Sequence, residues 1–287
     1  MSRKNKIAIV YDFDGTLSPQ PMQEYTVFPR LGIDPSIFWA EVKKENIRIK
    51  GEEIITYMML MLKKANDVEL KISKSDLGRM ASGIEFYKGV GTFFQRINSY
   101  VERISKRRVK LRHYIISSGL KEILERTKIK KYFYNVFASE YYYNHYKQPI
   151  YPKLVVTDTV KTQFLFRINK GRERIEESIN DFMAEEDRPI PFSNIIYIGD
   201  GLTDVPCMTV TTKNGGYAIA VFKPNNRGGL KICRKLFRNA RVDFIAEADY
   251  RANSELDKIL KVTLKTIIQG IEFRGCQREM VIRRNLY

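Results

Sequence analysis

Apolar residues along this chain fall into two textures that alternate. Short runs rich in β-branched and aromatic residues occupy 7–11, 114–116, 195–198, 215–221 and 242–246. Such runs, apolar on both sides, read as strands buried in a parallel sheet. Between them apolar positions recur at helical spacing over 90–105, 120–127, 172–185, 227–238 and 254–271. The segment 133–159 is rich in Tyr and Val and has turn-type residues at Gln148-Pro149, which predicts a β-hairpin or flap. Residues 18–87 differ, with Pro19, Pro21 and Pro29 punctuating the exit from the first strand. Ile37, Phe38, Trp39 and Val42, and then Ile54, Ile55, Met58, Met59, Met61 and Leu62, follow at helical spacing with no alternating strand. The pattern predicts an α/β protein whose core is a doubly wound, mostly parallel sheet (1–17 and 88–287), with a small all-helical domain (18–87) inserted after the first strand.

Three of the predicted strands end in chemistry. The first runs into Asp12-Phe13-Asp14-Gly15-Thr16, the second into Ser117-Ser118-Gly119 and the third into Gly199-Asp200-Gly201-Leu202-Thr203-Asp204. Doubly wound sheets bind ligands outside the carboxyl ends of their strands, so these groups are expected in one crevice. Aspartate is a poor strand residue and costly to bury unpaired, so acids at strand ends call for a cation or hydrogen-bond donors. Several oxygen ligands without His or Cys suit a hard cation, with Mg²⁺ the simplest choice. A carboxylate beside it is equipped to attack phosphorus, and a second to move a proton. Gly15 allows a tight turn that aims backbone N–H groups at an anion. An Asx-rich turn at Asp12–Thr16 and a plain serine cap at Ser117 are the alternatives for each piece alone.

Charge narrows the partners. Against 33 Asp+Glu stand 50 Lys+Arg, a formal charge of +17, which favours phosphate esters, nucleotides or nucleic acid. Residues 18–87 hold ten of each sign, so the excess lies in the core. The basic run 106–112 reads as a solvated helix face, with nucleic-acid contact as the minority reading. The Met-rich helix at 51–64 is either core of the insert or a substrate-facing patch, and Tyr141, Tyr142 and Tyr143 either stack on a ring or pack at a sheet edge. Cys207, Cys233 and Cys276 are widely spaced, and with two histidines a zinc site is not expected. The basic start followed by a short apolar run does not make a signal peptide, and no apolar stretch approaches the ~20 residues of a membrane span. A soluble, cytoplasmic protein without membrane contact is the expectation.

Taken together, Asp12-Phe13-Asp14-Gly15-Thr16, Ile115-Ile116-Ser117-Ser118-Gly119, Lys170-Gly171 and Gly199-Asp200-Gly201-Leu202-Thr203-Asp204, in that order, resemble the four motifs of the haloacid dehalogenase superfamily of phosphohydrolases. The resemblance implies a Rossmann-like core and an Mg²⁺-dependent phosphatase working through an aspartyl-phosphate. Asp12 would be the nucleophile, Asp14 the general acid/base, and Gly15, Thr16, Ser117 and Lys170 the phosphate ligands. Asp12, Asp14 (through its backbone carbonyl) and Asp200 would hold the metal, and Asp204 would steady the lysine or the metal shell. Ser118 rivals Ser117, and Lys161 rivals Lys170, which is preferred because it opens the predicted helix 172–185. The insert resembles the helical cap of the phosphoserine-phosphatase-like branch. Its Met-rich helix lacks the arginine that holds phosphoserine in that branch, so a less polar small phosphorylated metabolite is expected. Because Asp14 is present, hydrolysis leads. Phosphotransfer to another acceptor and nucleic-acid binding by the basic core are the alternatives.

Overall fold

The computed structural model describes residues 5–70 and 72–284. Seven strands form one sheet in the order β4-β3-β2-β1-β5-β6-β7. Strand β1 (Lys6–Tyr11) lies at its centre, paired in parallel with β2 (Lys110–Leu120) and β5 (Ile195–Gly199). Alternate β1 residues explain the two-sided burial: Ile7, Ile9 and Tyr11 enter one core cluster, Ala8 and Val10 the other. Tyr11 is level with Ile115 on one side and Ile198 on the other, so the three motif-bearing strand ends open at the same edge. Outward from β2 lie β3 (Phe133–Tyr143) and, antiparallel to it, β4 (Pro149–Leu154), the expected hairpin. Outward from β5 lie β6 (Tyr217–Phe222) and β7 (Phe244–Glu247), both parallel.

Between β1 and the sheet's next element the chain is helical: α1 (Met22–Tyr25), α2 (Val27–Leu31), α3 (Pro35–Ile49), α4 (Glu53–Asp67) and α5 (Lys74–Met80). Asp34 caps α3 by accepting from the Ile37 N–H, with Pro35 at the first helical position. The methionines of α4 are packing: Met58 and Met61 are buried in the cluster that also holds β1, while Met59 points to solvent. The Tyr57 hydroxyl donates to the Ser118 carbonyl (2.9 Å) and the Tyr141 hydroxyl to the Met58 carbonyl (2.8 Å), joining α4 to β2 and β3. Tyr142, exposed, stacks on Tyr151 across the hairpin at 4.9 Å, so these tyrosines serve the edge of the sheet.

The remaining helices are α6 (Val90–Ile104), α7 (Lys121–Leu124), α8 (Val160–Lys170), α9 (Val205–Lys213), α10 (Arg227–Arg238) and α11 (Glu255–Arg284). Several stretches depart from the sequence pattern, and of the helix expected over 120–127 only Lys121–Leu124 is helical. The basic run expected on a helix face is partly strand, because Lys110, Leu111 and Arg112 pair with β1, and Arg112 lies over the Tyr134 ring at 3.6 Å. The expected helix 172–185 is irregular instead, because the buried Arg167 guanidinium collects the carbonyls of Arg172, Arg174, Ile175 and Glu177 that a helix would need for itself. The helix there is α8, which ends at Gly171 in the left-handed region (φ 65°). Finally, α11 continues past 271 to Arg284: its buried stripe stops at Ile271, and the Glu, Gln, Arg and Met residues beyond sustain the helix by propensity. Among the described residues no helix is long and apolar enough to cross a membrane.

Candidate active site

Asp12 is the first residue beyond β1. Its backbone N–H donates to the Ile198 carbonyl at 2.9 Å, extending the β1–β5 ladder by one bond and fixing the carboxyl over the sheet edge. Asp12 as a whole is 5% exposed. Its Oδ1 accepts from Lys161 Nζ at 2.9 Å, and the same ammonium donates to Asp204 Oδ1 at 2.8 Å. Lys161, the second residue of α8 and 1% exposed, is thus clamped between two acids. Burial works to neutralise it, and the two carboxylates outweigh that and hold its pKa above the ordinary lysine value. Burial pushes Asp12 up to about 7, with Lys161 pulling it down and Asp204 adding to the rise.

Lys170, the expected third-motif lysine, is elsewhere. Closing α8 rather than opening a helix, it donates to the carbonyls of Ile179 (2.6 Å) and Asp181 (2.8 Å) in the loop beyond. The reversal follows from the misplaced helix. With α8 starting at 160, the residue aimed at the strand ends is the one in its first turn, Lys161.

Asp204 is fully buried and triply held. Besides Lys161, its Oδ1 accepts from the Tyr197 hydroxyl at 2.7 Å, and its Oδ2 accepts from the Asp200 N–H at 3.2 Å. Tyr197 carried no sequence signal, since it reads as one apolar position in Ile195-Ile196-Tyr197-Ile198. Gly199 is required here, because a Cβ at that position would lie 2.3 Å from Asp204 Oδ2. Oxygens of Asp12, Asp200 and Asp204 all lie within 4.8 Å of one another. The Asp200 carboxyl is raised well above the usual range by burial, then by Asp12 and Asp204.

Asp14 turns away from Lys161. Its Oδ1 accepts from the Met22 N–H at the start of α1 (2.8 Å), and burial followed by the charge of Asp12 raises its pKa well above the usual range. Gly15 adopts φ +78°, and a Cβ there would lie 2.1 Å from Asp200 Oδ2. The turn is as expected, but its N–H groups are not offered to an anion: Gly15 donates to the Ser18 carbonyl (2.7 Å) and Thr16 to that of Phe13 (3.2 Å). What Thr16 does offer is a buried hydroxyl without a protein partner. Ser117, where the regular pairing of β2 with β3 breaks, is 1% exposed and uses its Oγ to accept from the Gly119 N–H at 3.0 Å. Ser118 contributes its carbonyl, which receives the hydroxyls of Tyr57 and Ser139. The Met22 side chain fills the space beside Gly119, its sulfur accepting from the Leu120 N–H at 3.2 Å.

Acids and a serine near the carboxyl ends of adjacent parallel strands, with a buried lysine from α8 between two of the acids, form a site where doubly wound α/β sheets bind their ligands. The model of the haloacid dehalogenase-like hydrolases matches residues 9–209, and the chain belongs to that family. A Borreliella burgdorferi protein described as uncharacterized is 29% identical over 279 residues, covering 88% of this chain and 95% of its own. Among solved structures, a HAD family hydrolase from Salmonella enterica serovar Typhi superposes with a TM-score of 0.57 at 16% identity, covering 90% of this chain and 70% of that one. A phosphoserine phosphatase captured as an analogue of its phospho-aspartyl intermediate gives 0.55 at 16% identity, covering 90% of this chain and 99% of that one. These likenesses establish the shared fold.

Proposed function

We propose that this hydrolase is a Mg²⁺-dependent phosphatase that cleaves a phosphate monoester of a small metabolite through an aspartyl-phosphate on Asp12. The observation that carries the reading is the Lys161 ammonium held between Asp12 and Asp204, beside the Asp200 carboxyl. In this reading Lys161 takes the place first expected of Lys170.

The donor set suits the metal: three carboxylates converge, two of them with pKa values raised by mutual repulsion and burial, and no nitrogen or sulfur ligand stands among them. Asp12, Asp200 and Asp204 would hold Mg²⁺, which when bound supplies positive charge to phosphate oxygens and keeps the acids ionised. The protein's own groups do the rest. Asp12 attacks phosphorus with an in-line oxygen, and Lys161 and Ser117 hold the phosphoryl oxygens as charge builds on them. Asp14, protonated in its buried setting, gives its proton to the departing alcohol oxygen. The same carboxylate then takes a proton from the water that opens the acyl phosphate, returning Asp12 and releasing inorganic phosphate. The Met22 N–H keeps Asp14 aimed through both steps.

Helices α1 to α5 act as the cap in this reading, and Met22, Gln23 and Tyr57 are the cap side chains beside Asp14 and Ser118. None is cationic, which favours a leaving group less polar than serine. Phosphate release from a broad ester panel with Mg²⁺, compared with Asp12→Asn and a chelator, tests the function. Selective hydrolysis lost in both controls supports it, and a panel on which wild type never exceeds Asp12→Asn removes it.

A further inference from the structure

We propose that α10 docks the phosphodiester backbone of a nucleic acid, at a surface separate from the active site. The segment 205–242 contains no aspartate or glutamate, yet it carries eight of the chain's cations. Five of them, Arg227, Lys231, Arg234, Lys235 and Arg238, lie on the twelve residues of α10. All five are exposed, and among the described residues none meets a carboxylate or any other hydrogen-bond acceptor.

Their spacing makes them a line. At about 100° per residue the five fall within an arc of about 100°, diametrically opposite the buried Cys233 and Leu236 that seat the helix on β6 and β7. At 1.5 Å per residue they extend over about 16 Å with a cation every 5 to 6 Å or less. Holding five like charges unpaired in one row costs self-repulsion, and a polyanion relieves it. The partner that matches a row rather than a point is a chain of phosphates.

A lipid surface fits less well. Amphipathic helices that bind anionic bilayers insert an apolar face beside the cations. Here the apolar face of α10 is occupied by the protein core. The exposed Ile232 and Phe237 sit on opposite flanks, each about 110° from the centre of the stripe. Phe237, the exposed aromatic residue of α10, lies off the stripe on its flank, so binding is through the backbone and independent of sequence.

The test is fluorescence anisotropy of a labelled 20-nucleotide RNA and a 20-base-pair DNA duplex with the full chain at 50 and 200 mM salt. Five phosphate contacts predict a duplex affinity that falls about 500-fold between the two salts, and the triple variant Arg234→Gln/Lys235→Gln/Arg238→Gln, left with two, about 12-fold. These exposed, unpaired residues leave folding and phosphate release unchanged. Asp12→Asn and the cap control Lys43→Gln/Lys44→Gln/Lys63→Gln bind like wild type. RNA bound with the same response to the triple variant also supports the proposal, with a shallower salt slope. Three results overturn it: no binding to either probe at 50 mM salt, a triple variant that binds like the cap control, or capture by phosphatidylglycerol vesicles without oligonucleotide binding.

Discussion

Replacing Lys161 by methionine keeps the length of the side chain and removes the one ammonium within ion-pair distance of both Asp12 and Asp204 among the described residues. Breaking a buried pair by deleting one partner costs about 3 to 5 kcal/mol, because the remaining charge has no compensation. Here Asp12 loses its ammonium, and Asp204 is left with the Tyr197 hydroxyl and the Asp200 N–H as donors. Asp12 already sits at about 7 with Lys161 pulling it down, so without the lysine it holds its proton at neutral pH, the form that the proposed attack on phosphorus cannot use. A loss of about 4 kcal/mol of transition-state stabilisation corresponds to about a thousand-fold in kcat/KM. Lys170→Met removes two hydrogen bonds to loop carbonyls at a solvent-accessible site, worth about 1 kcal/mol each to stability and leaving kcat/KM within about threefold. The assay is phosphate release on the best ester, with urea unfolding run on the same preparations. The double variant Asp12→Asn/Lys161→Met removes one stranded carboxylate and recovers part of the stability without recovering activity, which separates folding from chemistry. If Lys170→Met loses a hundred-fold while Lys161→Met stays within tenfold of wild type, the assignment of the lysine is wrong.

Three further outcomes follow from the same geometry. Gly15→Ala places a Cβ 2.1 Å from Asp200 Oδ2 at a backbone φ of +78°, so Mg²⁺-dependent turnover drops by at least about 100-fold, and retention of half the wild-type rate would remove the close approach from the argument. Tyr197→Phe deletes one of two donors to Asp204 Oδ1 and lowers stability by about 2 kcal/mol with kcat down about tenfold and KM little changed, checked by thermal melts and steady-state kinetics. His113 is buried between the Tyr11 hydroxyl (3.0 Å) and the Asn98 amide oxygen (3.1 Å), and burial lowers its pKa to about 3. Its folded pKa lies below the unfolded ~6.5, so its contribution is intact above pH 6.5 and declines as pH falls towards 3, by up to about 5 kcal/mol. Urea midpoints of His113→Gln that fall as steeply over that window as those of wild type would refute it.

The first, second and fourth motifs were legible because each ends an apolar run of strand length, and a parallel sheet must bring such ends to one edge. Register then does what spacing cannot: Tyr11 level with Ile115 and Ile198 brings Asp12, Ser117 and Asp200 to the same edge of the sheet. The lysine was not legible in the same way. Its position depends on where α8 begins, and the stretch 172–185 has charges at helical spacing that compete for the assignment. What defeats that helix is the tertiary capture of four carbonyls by Arg167, a long side chain whose burial no local pattern announces. Tyr197 was hidden for the opposite reason, because a tyrosine in a buried strand packs like its apolar neighbours and only its hydroxyl reaches the acid. Gly15 was read correctly as a turn but for the wrong purpose. Its N–H closes the turn onto Ser18, and its missing side chain makes room for Asp200.

The acids of the site also bear on what completes it. Asp12 and Asp204 share the Lys161 ammonium, Asp200 and Asp14 lie near Asp12 without pairing to the lysine, and burial raises Asp12, Asp14 and Asp200 above their ordinary values. For Asp12 the folded pKa exceeds the unfolded one, so the protonated form is favoured by folding. That stabilisation is present below about pH 4 and is lost as pH rises through about 7. By this linkage alone the chain becomes less stable over the range in which Asp12 ionises. A divalent cation reverses the balance: by favouring the ionised carboxylates it releases protons on binding and adds most stability where the acids are otherwise most strained, at and above neutral pH. The excess of acid that Lys161 offsets in part is thus one that a single ammonium does not match. It is this unfinished charge, more than any single ligand distance, that argues for a metal in the site.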